Sequence, residues 1–195
     1  MKPSSTPHTD TYVCPWWLIR SFDNPLRRLV QPPEPILRDL VRAGDRCLDV
    51  GCGIGYFTIP MARLVGSAGT VVAVDLQTEM LEGVKRRATK QGLESRIVTR
   101  QATVSGLGVR GPFDFVLAFW MLHEVPDQQA MLMELHGLLK VQGRLLIAEP
   151  KMHVGAVSFN RTVEVAERIG FDRISEPKIF FSRSVVMEKV GLQAA

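Results

Sequence analysis

The segment that decides the fold of this chain is Leu48-Asp49-Val50-Gly51-Cys52-Gly53-Ile54-Gly55. An apolar strand leads into three glycines at alternate positions, and because glycine carries no Cβ the backbone can turn tightly and approach a ligand closely. A helix expected from about Phe57 would direct its free N–H groups toward the same cleft. The segment predicts a ligand-binding turn between a strand and a helix. A tight turn without a ligand is the alternative that the glycines alone leave open.

An acidic residue after the glycines supports the ligand-binding interpretation. Asp75 ends the next apolar run, where a carboxylate can accept hydrogen bonds from both ribose hydroxyls of a nucleoside. The structural alternative for Asp75 is to cap the following helix, although Thr78 is better placed to do so. The glycines and Asp75 together predict a nucleoside-bearing ligand.

From Gly44 onward, short β-branched runs alternate with longer segments of helical period, which is the pattern of βαβ units and a parallel sheet. We expect Gly92 and Gly170 to end the helices that precede them. The predicted helices are 34–41, 57–65, 78–91, 128–139 and 159–169, and the predicted strands are 46–50, 70–75, 97–102, 113–119 and 143–149. Residues 171–181 and 184–190 are expected to form a closing antiparallel hairpin around a turn at Ser182-Arg183.

The first 33 residues differ from the rest because six prolines interrupt any long helix while Tyr12, Trp16 and Trp17 supply aromatic surface. We expect residues 1–33 to form an arm that serves as a lid over the cleft or packs on the sheet. Residues 34–195 are expected to form one α/β domain.

Composition excludes several classes of protein. The chain has 195 residues, of which 46% are hydrophobic, so it can bury a core of its own. No apolar run is long enough for a membrane span, and the three cysteines, Cys14, Cys47 and Cys52, form neither a disulfide framework nor a zinc site. The net charge of +4 is spread along the chain, so a nucleic-acid partner is not expected. We expect a cytoplasmic protein without a metal, and the oligomeric state is left open.

Residues 48–55 resemble the first motif of class I S-adenosylmethionine-dependent methyltransferases, residues 71–75 resemble their second, and residues 113–120 are similar to their fourth. The resemblance covers residues 34–190. It implies a Rossmann-like α/β fold, a seven-stranded mostly parallel sheet with helices on both faces and a C-terminal antiparallel hairpin. It also implies S-adenosyl-L-methionine as the cofactor and S-adenosyl-L-homocysteine as the product. Tyr56 stands where dinucleotide-binding enzymes have a further glycine, so the spacing fits the methyltransferases better. An NAD-dependent oxidoreductase is the less favoured alternative.

The resemblance also implies roles for single residues. Asp49 is expected near the amino group of the ligand, Gly51 and Gly53 beneath its methionine part, and Asp75 at its ribose. Related enzymes often carry an acidic residue after the third strand, where this chain has Gln101-Ala102-Thr103, so a side chain or backbone group there must serve the adenine. The predicted cofactor-binding residues are Asp49, Gly51, Cys52, Gly53, Gly55, Asp75, Leu76, Ala102, Thr103 and Phe119.

The loop after the fourth strand, residues 119–127, should line the reaction cleft at the ligand end of the sheet. His123 is the predicted catalytic base for an acceptor proton, with Glu124 as a second candidate. The simpler alternative is that His123 only binds a backbone carbonyl. Glu149, with Lys151 and His153 beyond it, forms another candidate group, although a glutamate before a proline also suits a turn.

The loop resembles the HE-V-D version found in small-molecule methyltransferases of the quinone-biosynthesis and arsenite-methylating kind. The resemblance therefore implies methyl transfer to a small-molecule acceptor. A protein that binds the nucleoside without catalysis is the alternative from another class, and nucleic-acid methylation is a less favoured enzymatic one. Cys14 is a candidate thiol nucleophile only if it lies exposed beside the methyl donor.

Overall fold

The structure of the protein is a computed structural model that describes residues 25–191. Most of the arm predicted for residues 1–33, including Cys14, lies outside the described residues. Two 3-10 turns cover Glu94–Arg96 and Leu122–Glu124. The described helices and strands are, in chain order, α1 (Pro25–Val30), α2 (Pro33–Leu37), β1 (Arg46–Val50), α3 (Thr58–Leu64), β2 (Thr70–Asp75), α4 (Thr78–Lys90), β3 (Ile97–Gln101), β4 (Phe113–Phe119), α5 (Gln128–Leu138), β5 (Leu139–Pro150), α6 (Ala156–Ile169), β6 (Phe171–Ser175) and β7 (Ser182–Lys189).

The strands form one seven-stranded sheet in the order β3-β2-β1-β4-β5-β7-β6. The first five strands of that order run parallel, whereas β7 is antiparallel to β5 and to β6. The predicted Rossmann-like sheet with a C-terminal antiparallel hairpin is confirmed. Because the strand order reverses between β1 and β4, a crevice opens at their carboxyl ends, which is where ligands bind in such sheets.

Apolar side chains alternate between the two faces of the buried strands. In β4, Phe115 and Leu117 pack toward α2 and α3, while Val116 and Ala118 pack toward α5 and α6. Strands covered on both faces are near-continuous hydrophobic runs, as expected for a parallel sheet between two helical layers. Within residues 25–191 no helix combines the length and the apolarity needed to cross a membrane.

Three predicted strands, 46–50, 70–75 and 113–119, coincide with the structure, and β3 ends one residue earlier than predicted. The prediction for β5 was too short, because this strand follows α5 directly at Leu139 and extends to Pro150. The exposed residues Lys140, Val141 and Gln142 resemble a loop in sequence. They lie where the register of β5 against β4 shifts, between the pairs Phe113–Leu139 and Phe115–Arg144.

The predicted hairpin is present, but its turn was predicted at the wrong residues. β6 ends at Ser175, and residues 176–181 make the connection. Ser182 and Arg183 belong to β7, where they pair with Pro150 and Glu149 of β5. Pro177 has no N–H for a strand ladder, so β6 ends before it.

Helix ends were predicted well at the carboxyl side and less well at the amino side. Gly92 and Gly170 follow α4 and α6 with φ of 64° and 114°, the left-handed conformation of a helix stop. Thr78 is not the N-cap of α4, because Gln77 occupies that position without a side-chain bond. The predictions 34–41 and 159–169 were also displaced, since α2 is shorter and α6 begins three residues earlier.

Two helical glycines allow a matched test of how α4 packs. A Cβ added at Gly83 in α4 would lie 2.7 Å from Cγ2 of Ile54, whereas one added at Gly137 in α5 would meet nothing within 4 Å. Gly83→Ala should lower the free energy of unfolding by about 1–2 kcal/mol because Ile54 must shift. Gly137→Ala should raise it by about 0.5–1 kcal/mol because alanine is the better helix former. Urea unfolding measures both, and equal effects would contradict the close packing of α4 on Ile54.

Candidate functional site

The glycine loop, residues 51–57, connects β1 to α3 at the carboxyl edge of the sheet. Gly51, Gly53 and Gly55 have φ of 67°, 52° and 87°, a backbone conformation that residues with a side chain rarely adopt. A Cβ at Gly51 would also lie 2.8 Å from the Cβ of Met121, just after β4. The turn therefore requires glycine, and Gly51 lets the ends of β1 and β4 approach each other.

Asp75 ties this loop to the end of β2. Its Oδ2 accepts a hydrogen bond from the N–H of Gly53 at 2.9 Å, and its Oδ1 accepts one from the N–H of Gln77 at 3.0 Å. Burial raises the pKa of Asp75, and these N–H donors oppose the rise. Each carboxylate oxygen can accept a second hydrogen bond. Asp75 thus supports both the loop and the entrance to α4, and it can still accept two hydroxyl groups.

Asp49 lies on β1 with only 2% of its surface exposed. Its Oδ2 accepts a hydrogen bond from Oγ1 of Thr58, at the start of α3, at 2.5 Å. Burial raises the pKa of Asp49 to about 7, the Thr58 hydroxyl opposes the rise, and the negative charge of Asp75 adds to it. A buried carboxyl beside another carboxylate gains most from a cationic partner. The site therefore suits the amino group predicted to lie near Asp49.

The residues predicted to meet the nucleobase lie together at the ends of β2 and β3. Leu76 is 41% exposed, and its carbonyl accepts a hydrogen bond from Nε2 of Gln101 at 3.1 Å. The N–H of Ala102 donates to the carbonyl of Asp75 at 2.9 Å, so this donor is already used within the protein. The Thr103 hydroxyl is likewise hydrogen-bonded to Oγ of Ser105 at 2.7 Å. The amide oxygen of Gln101 and the apolar side chain of Leu76 are therefore the groups left for a base.

His123 and Glu149 meet where β4 and β5 end. Glu149 has a side chain only 3% exposed, its Oε1 accepts a hydrogen bond from the N–H of Leu122 at 2.9 Å, and its Oε2 is hydrogen-bonded to Nδ1 of His123. This hydrogen bond raises the pKa of His123, and burial opposes the rise. The ring of His153 stacks on that of His123 with centroids 5.6 Å apart. The buried carboxylate therefore orients the His123 ring and favours its protonated form.

Glu124 follows in the same turn and is partly buried. Burial raises the pKa of Glu124, the neighbouring His123 opposes the rise, and the charges of Glu149 and Asp75 add to it. Glu124 is thus close enough to both carboxylates to be affected by their charges. The two predicted catalytic residues differ in their surroundings, because only His123 is bound to Glu149.

Cys52 and Phe119, both predicted to contact the cofactor, are buried at 6% and 7% exposure. The N–H of Cys52 donates to the carbonyl of Val74 at 3.0 Å, and burial raises the pKa of its thiol. Phe119 packs on Phe57 with ring centroids 4.3 Å apart. Both residues support the glycine loop from within the protein. Across residues 25–191, no three His, Cys, Asp or Glu side chains are grouped to hold a metal ion.

A group of residues that the sequence did not indicate covers the edge of the cleft. The guanidinium of Arg27 lies 4.1 Å from the ring centroid of Tyr56 and 4.8 Å from that of Trp120. The Tyr56 hydroxyl donates to the carbonyl of Gln31 at 2.8 Å, and Nε1 of Trp120 donates to Oγ of Ser182 at 2.9 Å. These contacts anchor α1 and the residues after it beside the glycine loop. These contacts could not be predicted from a local sequence motif, because they join four distant parts of the chain.

The fold and the site define an α/β domain that holds a nucleoside-bearing ligand at the carboxyl edge of its sheet. The family described as a methyltransferase domain matches residues 42–176. The chain belongs to this methyltransferase family, as the sequence predicted, and its sheet is that of the class I, S-adenosylmethionine-dependent type.

Curated relatives are methyltransferases of small molecules by name. The aklanonic acid methyltransferase DauC of a Streptomyces species is 32% identical over 134 residues, which is 68% of this chain and 58% of that protein. The demethylmenaquinone methyltransferase of Lactobacillus johnsonii is 34% identical over 110 residues, which is 56% of this chain and 45% of that protein. The chain thus spans about half the length of the curated relatives it matches.

Solved structures share the fold at low identity. A SAM-dependent methyltransferase from Aquifex aeolicus matches with a TM-score of 0.81 at 23% identity, covering 90% of this chain and 99% of its own. The cyclase SpnF matches with a TM-score of 0.68 at 16% identity, covering 81% of each chain. These two matches show that the architecture is shared. The match to SpnF also shows that proteins named for different activities have this fold.

The buried carboxyl of Asp49 predicts a characteristic pH dependence of stability. Its pKa is about 7 in the folded chain and about 3.9 in an unfolded one. Between these values the folded state binds the extra proton, so the stability of the ligand-free protein should fall as pH rises from about 4 to about 7. Asp49→Asn should remove this fall and raise the free energy of unfolding at pH 8 by about 2–4 kcal/mol in urea titrations.

The same substitution should weaken the binding of S-adenosylhomocysteine on the order of tenfold in calorimetry, because it removes the charge that would face the ligand's amino group. Asp172→Asn is the control, since that carboxylate is exposed on β6. A loss of stability at pH 8 in Asp49→Asn, or the same gain in Asp172→Asn, would contradict the assignment.

Proposed function

We propose that the chain is an enzyme that transfers a methyl group from S-adenosyl-L-methionine to a small-molecule acceptor and releases S-adenosyl-L-homocysteine. The observation that carries the proposal is the His123–Glu149 pair, which lies beside the glycine loop at the same edge of the sheet. The family match and the named relatives support this reaction class. We call residues 49–58, 75–77 and 101–103 the donor half of the cleft, and residues 120–124 and 149–153 the acceptor half.

The residues of the donor half fit S-adenosylmethionine. Asp75 keeps acceptor capacity for the ribose hydroxyls, and Asp49 offers a buried carboxylate to the amino group. Gly51 and Gly53 keep side chains away from the methionine part, while Gln101 and Leu76 stand where the adenine would lie. Gly55, Cys52, Ala102, Thr103 and Phe119 complete the proposed binding region.

When bound, S-adenosylmethionine supplies a methyl group on a positively charged sulfur. The protein has to align the acceptor with that methyl group, exclude water and remove the acceptor proton. Because Glu149 holds Nδ1 of His123, Nε2 is the ring nitrogen that takes the proton. The deprotonated acceptor atom would then be ready for the methyl group that the bound cofactor would supply. Glu149 stabilises the imidazolium that results.

The names of the relatives indicate the kind of acceptor. Those proteins are named for aklanonic acid, demethylmenaquinone and 2-phytyl-1,4-naphtoquinone. We propose that this chain also methylates an apolar ring compound, at a hydroxyl or carbon whose proton a neutral imidazole can remove. Trp120 at the edge of the cleft supplies aromatic surface for such a ring.

A second candidate function is ligand binding without methyl transfer. It is considered because the fold alone does not fix methyl transfer, as the shared fold of the cyclase SpnF illustrates. Production of S-adenosylhomocysteine across a panel of hydroxylated ring compounds, abolished by Asp75→Ala, would reject it. Tight binding of S-adenosylhomocysteine without turnover of any acceptor would favour it. The dinucleotide alternative receives no support from the family match, which is to a methyltransferase domain.

We also propose a cytoplasmic location and an acceptor other than nucleic acid. Cys47 and Cys52 are unpaired buried thiols, which suits a reducing compartment. The small-molecule names of the relatives agree with the acceptor class.

The His123–Glu149 pair predicts how the rate depends on pH. His123 must be neutral to accept a proton, and hydrogen bonding to Glu149 raises its pKa above the usual value. The rate should therefore rise with pH through that raised pKa and be lost below it. Glu149→Gln should move the rise to lower pH and lower kcat, and His123→Asn should lower kcat about 100- to 10,000-fold. Steady-state assays across pH 5–9 measure both, once an acceptor is found.

S-adenosylhomocysteine affinity is the control for these variants, because neither residue belongs to the donor half. Glu124→Gln is the matched comparison, since Glu124 neighbours His123 but is not its hydrogen-bond partner. If Glu124→Gln shifted the pH profile as Glu149→Gln does, the assignment of Glu149 as the partner that sets the pKa of His123 would be wrong.

We further propose that residues 1–33 form a lid, anchored at its carboxyl end by Arg27 and Gln31. Gln31 is 2% exposed, and its Nε2 donates to the carbonyl of Phe180 at 3.0 Å. A chain that begins at residue 25 should bind S-adenosylhomocysteine with unchanged affinity but should lose on the order of tenfold in kcat, because water enters the cleft. Arg27→Ala in the full chain should act in the same direction. Unchanged kcat in the shortened chain would refute the lid.

A further inference from the structure

A cavity of about 800 Å³ opens beside the acceptor half. It lies between the first two turns of α6 and the connection 176–181, and we call it the basic cleft. Phe159 and Val163 of α6 line one side, and Phe180 and Phe181 line the other. Phe181 is 52% exposed although it is aromatic. A concave site of this size, with apolar walls and a few polar groups, is typical of small-molecule binding.

The charges that line the basic cleft are almost all positive. Its cationic side chains are Lys151, Arg173, Lys178 and Arg183, and its only lining carboxylate is Glu176. Glu176 is already paired, because its Oε1 accepts a hydrogen bond from Arg173 at 2.9 Å. Within the described part of the chain, Lys151 and Lys178 have no ion pair. Cations grouped without counter-charges repel one another, so an anion in this cleft is stabilised.

The basic cleft shares a sheet face and an edge with the His123–Glu149 pair. Arg183 stands opposite Glu149 in the β5–β7 ladder, and Nε of Arg183 donates to the carbonyl of Val154 at 3.1 Å. Opposed residues of an antiparallel pair project from the same face with Cβ atoms about 5 Å apart. The N–H of Lys151 also donates to the carbonyl of Phe181 at 2.9 Å. Residues 151–154 therefore contact both the cleft and the catalytic pair, since the ring of His153 also stacks on that of His123.

We propose that the basic cleft binds an anionic group carried on an apolar body. Phe159 and Phe181 contact the apolar body, and Lys151, Lys178 and Arg183 hold the carboxylate, sulfonate or phosphate. Resting on the function proposed above, this ligand is the methyl acceptor itself, held by its anionic end while its reactive end reaches His123. The site can be tested without any methyl transfer.

The test uses the full chain with S-adenosylhomocysteine and two fluorescent probes that share a ring system and differ in charge. The probes are 8-anilinonaphthalene-1-sulfonate and the neutral N-phenyl-1-naphthylamine. The sulfonate should bind at a single site on the order of tenfold more tightly than the amine, because charge-assisted hydrogen bonds add to the apolar contact. The double variant Lys151→Gln, Lys178→Gln should remove this difference and leave the affinity for the amine unchanged.

Two further variants complete the design. Phe181→Ala should weaken both probes, whereas Lys85→Gln with Lys90→Gln, on the exposed side of α4, should weaken neither. Equal affinity of the two probes, or sulfonate binding that survives Lys151→Gln with Lys178→Gln, overturns the proposal. Displacement of the sulfonate by single-stranded RNA at low but not at high salt would assign the cleft to nucleic acid and would also overturn it.

A negative result in the probe measurement and a negative result in the enzyme assay have different meanings. Absence of S-adenosylhomocysteine production would refute the proposed function and leave the probe result standing. Absence of charge-dependent probe binding would refute the basic cleft and leave methyl transfer standing.

Discussion

The carboxylate of Asp75 is the interaction on which the donor half depends. With one oxygen it holds the N–H of Gly53, and with the other it holds the N–H that precedes α4. A single side chain thereby fixes the glycine loop against the end of β2. Burying that carboxylate is unfavourable, as its raised pKa shows, and the two backbone donors offset part of the cost. The hydroxyl groups of a ligand would donate further hydrogen bonds to the two carboxylate oxygens of Asp75, in place of water.

The parallel part of the fold was predictable because its strands are buried on both faces. Such strands are continuous apolar runs bounded by polar or glycine residues, so β1, β2 and β4 were predicted with their observed limits. The hairpin could not be predicted in the same way. Ser182-Arg183 has the composition of a turn, and only pairing with Pro150 and Glu149 makes it a strand. Register with a distant neighbour overrode local preference there.

The same distinction separates the residues of the site. The glycines and Asp75 lie in short segments whose spacing has a direct physical reason, so their positions at the ends of β1 and β2 were predictable. Asp49 was indicated only by the resemblance to known methyltransferases. His123 was predicted as a base without its partner, because Glu149 before a proline has the composition of a turn. The burial of Glu149 depends on β4, β5 and β7 together, and the anchoring of Gln31 depends on the β6–β7 connection. No short motif encodes either arrangement.

The antiparallel placement of β7 has a consequence for how the cleft assembles and changes. Because β7 begins where β5 ends, the acceptor side includes the contact between Trp120 and Ser182, which are 62 residues apart. The hydrogen bonds of the donor side join residues 22 and 25 apart. Closing long loops carries the larger entropic cost, so the contacts of the acceptor side cost more to order than those of the donor side. Its side chains are also contributed by separate connections that tolerate replacement. The sheet therefore builds the donor side on contacts between nearby segments of the chain and the acceptor side on a seam between distant ones.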